Sequence, residues 1–393
     1  MKKFLFVVMM LALGFGLVAC GEKENDTVKI GVIGNLSMAA QFYAEEVVNG
    51  VKLATKQINE AGGVNVDGAK KQIELVIKDD TADPTTAVNQ YQSIAEEVDI
   101  IVGPVITNTT IAVSSAAAED GVPMITPSAT GDVVTYDDGK LKGSVFRTCF
   151  IDSYQGTILS KLALDKGVKK VVVLKNTADA YSSGICDAFI SEVEGKVEVA
   201  KLLNYDNLDA LKNSMSSFVT EIKNAAPDAV VMPDYTDQIR TAVAACREAG
   251  VDCMFFGGDG WDGATANYAH PEYFENCFYV TGIFSGSEKE QVKSFYADYK
   301  AEFNRAGTEL YKNGHEEVPS MFAALAYDAL YLAVAAIEKA NSTDNADVVA
   351  ALKGISFEGC TGALTFDEKN NPQKSAPVLE FHADGSLSLY KEL

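Results

Sequence analysis

Residues 28–63, VKIGVIGNLSMAAQFYAEEVVNGVKLATKQINEAGG, set the architecture of the chain. They open on a short apolar run, residues 28–33, which is typical of a buried β-strand. Apolar side chains then recur at helical spacing, at Val47, Val51, Ala54 and Ile58. The run Ala61-Gly62-Gly63 ends the helix that this spacing predicts. A strand followed at once by an amphipathic helix indicates the start of a βαβ unit.

The same alternation continues towards the middle of the chain. Further strands are predicted at residues 73–77, 100–102 and 123–125. Helices are predicted from Pro84 to Ile94 and from about Thr109 to Glu119. Strands and helices that alternate at this spacing predict a mostly parallel sheet covered by helices.

The pattern restarts after Phe146-Arg147-Thr148 and predicts a second sheet of similar size. Its strands are predicted at residues 171–174, 197–203, 229–232 and 254–256. Its helices are predicted at residues 154–166, 183–193, 208–223 and 238–249. Residues 289–353 are predicted to be helical, followed by short strands at 364–366, 378–381 and 387–390. We therefore predict two doubly wound α/β lobes with a ligand cleft between them, at the C-terminal ends of the strands.

The N-terminus has the features of an export signal. Lys2 and Lys3 precede an apolar stretch at residues 4–18 that is short for a membrane span. Leu17-Val18-Ala19-Cys20 resembles a bacterial lipobox, in which the cysteine thiol carries a diacylglyceryl group and cleavage occurs just before it. We predict a lipoprotein signal peptide at 1–19, lipid attachment at Cys20 and a tether at 20–27. The alternative is a plain signal peptide with a chance cysteine.

This N-terminus predicts an exported protein, lipid-anchored to the outer face of the cytoplasmic membrane, or periplasmic in a Gram-negative source. The full chain has 33 basic and 55 acidic side chains. Loss of residues 1–19 removes Lys2 and Lys3, which leaves 31 basic and 55 acidic side chains and a net charge of −24. So acidic a protein repels phosphate, which argues against a nucleic-acid partner. Membrane contact is expected through the lipid anchor only.

The sequence lacks the motifs of common catalytic and metal sites. The three histidines, His270, His315 and His382, have no neighbour at metal-ligand spacing. H-E-x-x-H, G-x-S-x-G and Walker A motifs are absent, and Gly31-x-x-Gly34 lacks the spacing of a dinucleotide site. Residues 259–263, DGWDG, do not follow the EF-hand pattern. We therefore expect no enzyme activity, metal or cofactor.

Six scattered cysteines follow Cys20: Cys149, Cys186, Cys246, Cys253, Cys277 and Cys360. No C-x-x-C pair occurs among them, which argues against a zinc ribbon or a thioredoxin-like site. An even number in an exported protein is compatible with disulfides, and equally with single cysteines packed in a core.

An ordered series of short motifs resembles the bacterial branched-chain amino-acid-binding proteins, which are receptors of ABC importers with the type I periplasmic-binding fold. The motifs are VKIGVIG (28–34) with Ser37, Asn49-Gly50, INEAGG (58–63), DDTADP (79–84), IVGP (101–104), PSAT (127–130) and FRT (146–148). The resemblance extends from residue 28 to about residue 385. It implies a protein partner, the importer permease. Relatives often have a disulfide close to Ala82 and Ile106, and neither position holds a cysteine here.

The resemblance also implies a division of the chain. Relatives join their two lobes by three crossovers, which would fall here near residues 148–152, 280–283 and 358–362, and they close on ligand by hinge motion. The first lobe would comprise residues 28–149 and 282–358. The second would comprise residues 150–281 and 359–393.

Candidate ligand contacts lie at the predicted strand ends. Thr107 precedes an alanine-rich helix, whose N-terminus suits an α-carboxylate, although Thr107 could serve only as a helix cap. By resemblance, Asp259 occupies the place of a carboxylate that receives the ligand ammonium, often a longer Glu in relatives, and it could instead be a solvent-exposed turn residue. The remaining positions implied by the resemblance or proposed as pocket walls are Tyr43, Ser128, Ala129, Thr130, Tyr181, Tyr235, Trp261 and Phe322.

Together these features predict a receptor that captures a free amino acid, branched-chain or similarly apolar, for an ABC importer. A receptor of the same fold for short amides, urea or aromatic acids is an alternative, although Asp259 favours a cationic ligand group. A sensor module acting in trans is another. A hydrolase or dehydrogenase would need motifs that the sequence lacks.

Overall fold

The computed structural model describes residues 27–38, 40–266, 268–303 and 319–393. The predicted signal peptide, Cys20 and residues 20–26 of the predicted tether lie outside the described residues. The strands are β1 (Thr27–Gly34), β2 (Val64–Val66), β3 (Ala69–Asp79), β4 (Ile100–Val102), β5 (Met124–Thr126), β6 (Tyr136–Asp137), β7 (Lys140–Leu141), β8 (Val145–Arg147), β9 (Lys170–Asn176), β10 (Glu198–Tyr205), β11 (Ala229–Val231), β12 (Met254–Gly257), β13 (Cys277–Val280), β14 (Ser356–Gly359), β15 (Gly362–Thr365), β16 (Pro377–Phe381) and β17 (Leu387–Glu392).

The α-helices lie between these strands in the order that the sequence predicts. They are α1 (Gln41–Glu60), α2 (Pro84–Gln92), α3 (Thr107–Asp120), α4 (Asp152–Asp165), α5 (Ala180–Val193), α6 (Leu208–Ala225), α7 (Thr236–Glu248), α8 (Glu290–Phe303), α9 (Met321–Ala340) and α10 (Asn345–Lys353). Short 3-10 helices cover Asp132–Val134, Asp259–Trp261 and Pro271–Phe274.

The first sheet has the strand order β2-β3-β1-β4-β5-β8. All its pairs are parallel except β2 with β3. Helix α1 packs along α9, and these two helices approach each other closely at Gly50, where a Cβ atom would lie 2.1 Å from the Ala323 carbonyl oxygen. We call this sheet, with α1–α3 and α8–α10, the first lobe.

The second sheet has the order β10-β9-β11-β12-β13-β16-β17. Its first five strands run parallel, and the last two join antiparallel. With α4–α7 it forms the second lobe. The predicted architecture of two mostly parallel α/β sheets is confirmed. The strand predicted at residues 364–366 instead pairs with β14 in a separate two-stranded sheet.

The chain passes between the lobes three times: after β8, after β13 and between α10 and β16. Hydrogen bonds tie two of these passages to α9. Thr148 donates its hydroxyl to the Leu325 carbonyl at 2.9 Å. The buried Asp328 carboxylate accepts the amides of Cys360 at 2.9 Å and Thr361 at 2.8 Å. Helix α9 is therefore a structural support for the connections between the lobes.

Among the described helices, α9 alone has the length and apolar composition to cross a membrane. In this structure 78% of its most apolar window is buried, and the helix packs against α1, α10 and the first sheet. Its apolar composition is accounted for by this central position in the first lobe.

The six cysteines in the described part of the chain are all free thiols. Five are buried, and Cys253 is half-buried. Burial raises the pKa of Cys149 and Cys277 to about 12. Of the two alternatives that the sequence left open, the structure has the cysteines as packed core side chains.

Candidate ligand-binding site

A small cavity lies between the lobes. Its walls come from segments that follow strands β1, β4, β5, β9, β11 and β12, and from the start of α9. The C-terminal ends of parallel strands are where ligands bind in open α/β sheets. The lining residues are Tyr43, Val105, Ile106, Thr107, Ser128, Tyr181, Tyr235, Asp259, Gly260 and Phe322.

The first-lobe wall contains the N-terminus of α3. The helix begins at Thr107, two residues earlier than predicted, and the extended residue Ile106 takes the cap position without a side-chain hydrogen bond. The amides of a first helical turn have no partner within the helix, and the helix dipole favours an anion there. Ser128 fixes the adjacent loop by donating its hydroxyl to the Val105 carbonyl at 2.8 Å. This wall is suited to a carboxylate.

Ala129 and Thr130 do not line the cavity but hold the loop behind it. The Ala129 carbonyl accepts the guanidinium of the fully buried Arg147 at 2.9 Å, and that guanidinium also bonds the Gly131 carbonyl at 3.0 Å. The Thr130 carbonyl accepts the amide of Asp152 at 2.9 Å. Arg147, which belongs to the FRT motif at residues 146–148, therefore fixes the loop that follows Ser128.

The second-lobe wall carries a buried carboxylate. Asp259 is 2% exposed and begins the 3-10 helix after β12, so it is not a solvent-exposed turn residue. Burial raises its pKa to about 7, against the opposing effect of hydrogen bonds from Gln155 and Tyr181. Gln155 donates to Asp259 Oδ1 at 3.1 Å. The Gly260 amide donates to the Tyr181 hydroxyl at 2.8 Å.

Four aromatic rings also line the cavity. Tyr43 lies 5.0 Å from Phe322 and 5.5 Å from Tyr235, centroid to centroid, and Tyr181 stacks on Tyr235 at 5.3 Å. Tyr43 also bridges the lobes, because its hydroxyl donates to the Gly260 carbonyl at 2.6 Å and accepts the Thr236 amide at 3.0 Å. The cavity therefore combines apolar rings with polar groups from both lobes.

Trp261, predicted as a pocket wall, lies outside the cavity. It is fully buried in the core of the second lobe, against Phe255, Phe274 and Phe381. Its indole N–H donates to the Met232 carbonyl at 2.8 Å, which turns the ring away from the cavity. The 3-10 turn places Asp259 and Trp261 on different sides, a geometry that sequence spacing alone does not reveal.

Three further lining residues, Val105, Ile106 and Gly260, were not predicted from the sequence, and neither was Gln155 as the partner of Asp259. Val105 and Ile106 directly precede Thr107, so the same helix start could have identified them. Gln155 lies about a hundred positions from Asp259, and no local signal connects the two. In the described ranges, no group of three or more His, Cys, Asp or Glu side chains could hold a metal ion.

Two lobes, three connections and a cavity at the facing strand ends define a two-lobed solute-binding protein of the type I periplasmic-binding fold. A family model described as periplasmic binding protein matches residues 27–386. The chain belongs to this family.

Individual relatives are similar over nearly their whole length. A leucine-, isoleucine-, valine-, threonine- and alanine-binding protein of Pseudomonas aeruginosa is 29% identical, over 98% of this chain and 97% of that protein. The branched-chain amino acid transporter substrate-binding protein of Streptococcus pneumoniae, solved with isoleucine, is 30% identical with a TM-score of 0.80, covering 93% of this chain and 99% of that one. A leucine-binding protein of Thermotoga maritima is 26% identical with a TM-score of 0.81, covering 93% and 98%.

Proposed function

We propose that this chain is an extracytoplasmic receptor that captures one free amino acid, branched-chain or similarly apolar, and delivers it to an ABC importer. One observation carries the proposal: the same cavity is lined by the N-terminus of α3 from the first lobe and by the buried Asp259 from the second. A helix N-terminus favours a carboxylate, and a buried carboxylate favours an ammonium group. The pair is complementary to a zwitterion, and the ligands named for the relatives support this class.

Each lining group then has a role. Thr107, the first amides of α3 and the backbone amide of Ser128, whose hydroxyl is donated to the Val105 carbonyl, receive the α-carboxylate, while Asp259 receives the ammonium. The side chain of the bound amino acid lies among the rings of four aromatic residues, which exclude water and favour apolar groups. The four rings are those of Tyr43, Tyr181, Tyr235 and Phe322.

The role is binding and delivery rather than catalysis. ATP hydrolysis would belong to another subunit of the importer, and this chain would contact its permease. The two lobes, divided at residues 28–149 plus 282–358 and 150–281 plus 359–393, would open and close about the three connections. The hydrogen bonds from Tyr43 to the second lobe would form on closure.

Isoleucine should stabilise the folded protein. At a free concentration a hundredfold above Kd, a ligand that binds only the folded state adds about 2.7 kcal/mol, which is a shift of several degrees in Tm. The screen compares L-isoleucine with 3-methylpentanoate, which lacks the amine, and 2-methylbutylamine, which lacks the carboxylate. Only isoleucine should shift Tm strongly. A larger shift with 3-methylpentanoate, benzoate or urea would replace the amino-acid proposal by the amide or aromatic-acid alternative.

Lipid attachment at Cys20 gives a separate prediction. Wild-type protein should fractionate with membranes, because its acyl chains partition into the bilayer. Cys20→Ser removes the thiol that would carry the lipid and should leave the protein uncleaved or soluble. Cys253→Ser, a change at a half-buried cysteine far along the chain, is the control and should behave as wild type. Wild type recovered wholly in the soluble fraction would contradict the anchor.

A further inference from the structure

A buried glutamine that does not line the cavity is hydrogen-bonded to Asp259. Gln155 is fully buried on the first turns of α4. It makes two hydrogen bonds to one residue: its Nε2 donates to Asp259 Oδ1 at 3.1 Å, and its Oε1 accepts the Asp259 backbone amide at 2.9 Å. The side chain therefore contacts both the backbone and the carboxylate of Asp259.

These two contacts fix which way the Gln155 amide points. A backbone N–H can only donate, so the atom facing it must be the oxygen Oε1. The NH₂ group must then face the Asp259 carboxylate. A flipped amide would set two donors against each other and its oxygen against a carboxylate oxygen. Gln155 thus always presents a proton donor to Asp259, and a donor stabilises the ionised form of a carboxyl group.

In the described part of the chain, none of the largest effects on the Asp259 carboxyl group comes from a positive charge. The titratable groups that face it are all acids, neutral or negative: Tyr43, Cys149, Asp152, Tyr181 and Asp262. Burial and the negative charge of Asp262 both raise the pKa of Asp259, and the hydrogen bond from Gln155 is the largest effect that lowers it. Gln155 is therefore the main group, ahead of Tyr181 and the Gly260 amide, that favours the ionised form of Asp259 before a cationic ligand binds.

We propose that Gln155 is a positioning residue that favours the ionised form of Asp259 and holds it at the cavity, and thereby makes the site selective for an ammonium group. This inference rests on the proposed function, because Asp259 must be the group that receives the ligand ammonium. It assigns the selectivity to a residue that does not line the cavity.

The test is Gln155→Met, which keeps the shape of the side chain and removes both hydrogen bonds. The chain offers a matched control in Gln57→Met. Gln57 also donates to an aspartate, Asp298, at 2.9 Å. Gln57 is on α1 and Asp298 is on α8, so this pair lies in the first lobe. Calorimetric titration with L-isoleucine from pH 6 to pH 9, in buffers of different ionisation enthalpy, gives Kd and the protons released on binding.

We expect Gln155→Met to weaken isoleucine binding at pH 7 by roughly tenfold to hundredfold, since a hydrogen bond to a charged group is lost. The loss should shrink towards pH 9, where Asp259 ionises without help. Because the ammonium binds the ionised form, the variant should also release more protons on binding at pH 7 than wild type. Gln57→Met should match wild type in both quantities.

A merely structural role would lower affinity equally at every pH and leave the proton count unchanged, and that result would overturn the proposal. So would a Kd within threefold of wild type at pH 7. If Gln155→Met does not fold, Gln155→Asn, one methylene too short for both contacts, should show the same shift in pH profile. Wild type that fails to bind isoleucine at any pH would instead reject the proposed function.

Discussion

Asp259→Asn should weaken isoleucine binding by about two to three and a half decades. The variant keeps the shape of the side chain and removes the charge that faces the ligand ammonium. Removing one partner of a buried ion pair costs about 3–5 kcal/mol, and each decade of affinity corresponds to about 1.4 kcal/mol. Calorimetric titration at pH 8, where the wild-type carboxyl group is mostly ionised, measures the difference directly.

The same variant should lose the pH dependence of binding. The pKa of Asp259 is about 7, so below that pH the wild-type carboxyl group must release a proton before it can pair with an ammonium. Wild-type affinity should therefore fall by about tenfold per pH unit below pH 7 and level off above it. Asparagine does not titrate, and its weak affinity should stay constant from pH 5 to pH 8.

Unliganded stability should not fall in Asp259→Asn. The folded-state pKa of about 7 lies above the value of about 3.9 for an unfolded chain, so the folded state holds this proton more tightly. Its contribution to stability is present below about pH 4 and is lost as the pH rises to about 7. At neutral pH the asparagine variant should be as stable as wild type, or more stable, in a urea titration.

Asp228→Asn is the matched control for the change of net charge. Asp228 directly precedes β11, at the opposite end of the second sheet, and accepts the amides of Lys169 and Lys170. It should bind isoleucine as wild type does. If Asp259→Asn bound within threefold of wild type, the ammonium would not be received at this carboxylate.

The main helices and strands could be predicted because their buried apolar side chains recur in the sequence at the spacing of a helix or a strand. Strand β1 is apolar over most of its length, and α1 keeps Val47, Val51, Ala54 and Ile58 buried at helical spacing. Two short hairpins were not predicted, β2–β3 and β6–β7. Both turn at an Asp-Gly pair with positive φ, at residues 67–68 and 138–139. This pair is a strong sequence signal for a tight hairpin.

Some residues of the candidate site could also be predicted from the sequence, and others could not. Thr107, Tyr181 and Tyr235 lie at or beside a helix start that follows a strand, so the order of elements brings them to the cavity. Gln155 depends on how α4 packs beside the end of β12, which is a tertiary contact. Trp261 depends on the turn of a single 3-10 helix. Neither feature leaves a periodic trace in the sequence.

Trp261→Ala should lower the stability of the protein and leave ligand affinity nearly unchanged. This is the reverse of the result expected for Asp259→Asn. The ring is fully buried among Phe255, Phe274 and Phe381, and its N–H bonds the Met232 carbonyl. Replacing a buried aromatic side chain by alanine costs about 3–5 kcal/mol, because transfer energy is lost and a cavity remains. Urea unfolding followed by circular dichroism should show this loss in the free energy of unfolding.

Isoleucine affinity should stay within a few-fold of wild type in Trp261→Ala. Asp259 is only two residues away, but Gln155 holds its backbone and carboxylate, and the Gly260 amide is bonded to the Tyr181 hydroxyl. The comparison variant is Phe322→Ala, which removes a ring that does line the cavity and should weaken binding. If Trp261→Ala lowered affinity more than Phe322→Ala at a temperature where both are folded, the indole would belong to the ligand wall, as the sequence suggested, and the second-lobe core would have to open towards the ligand.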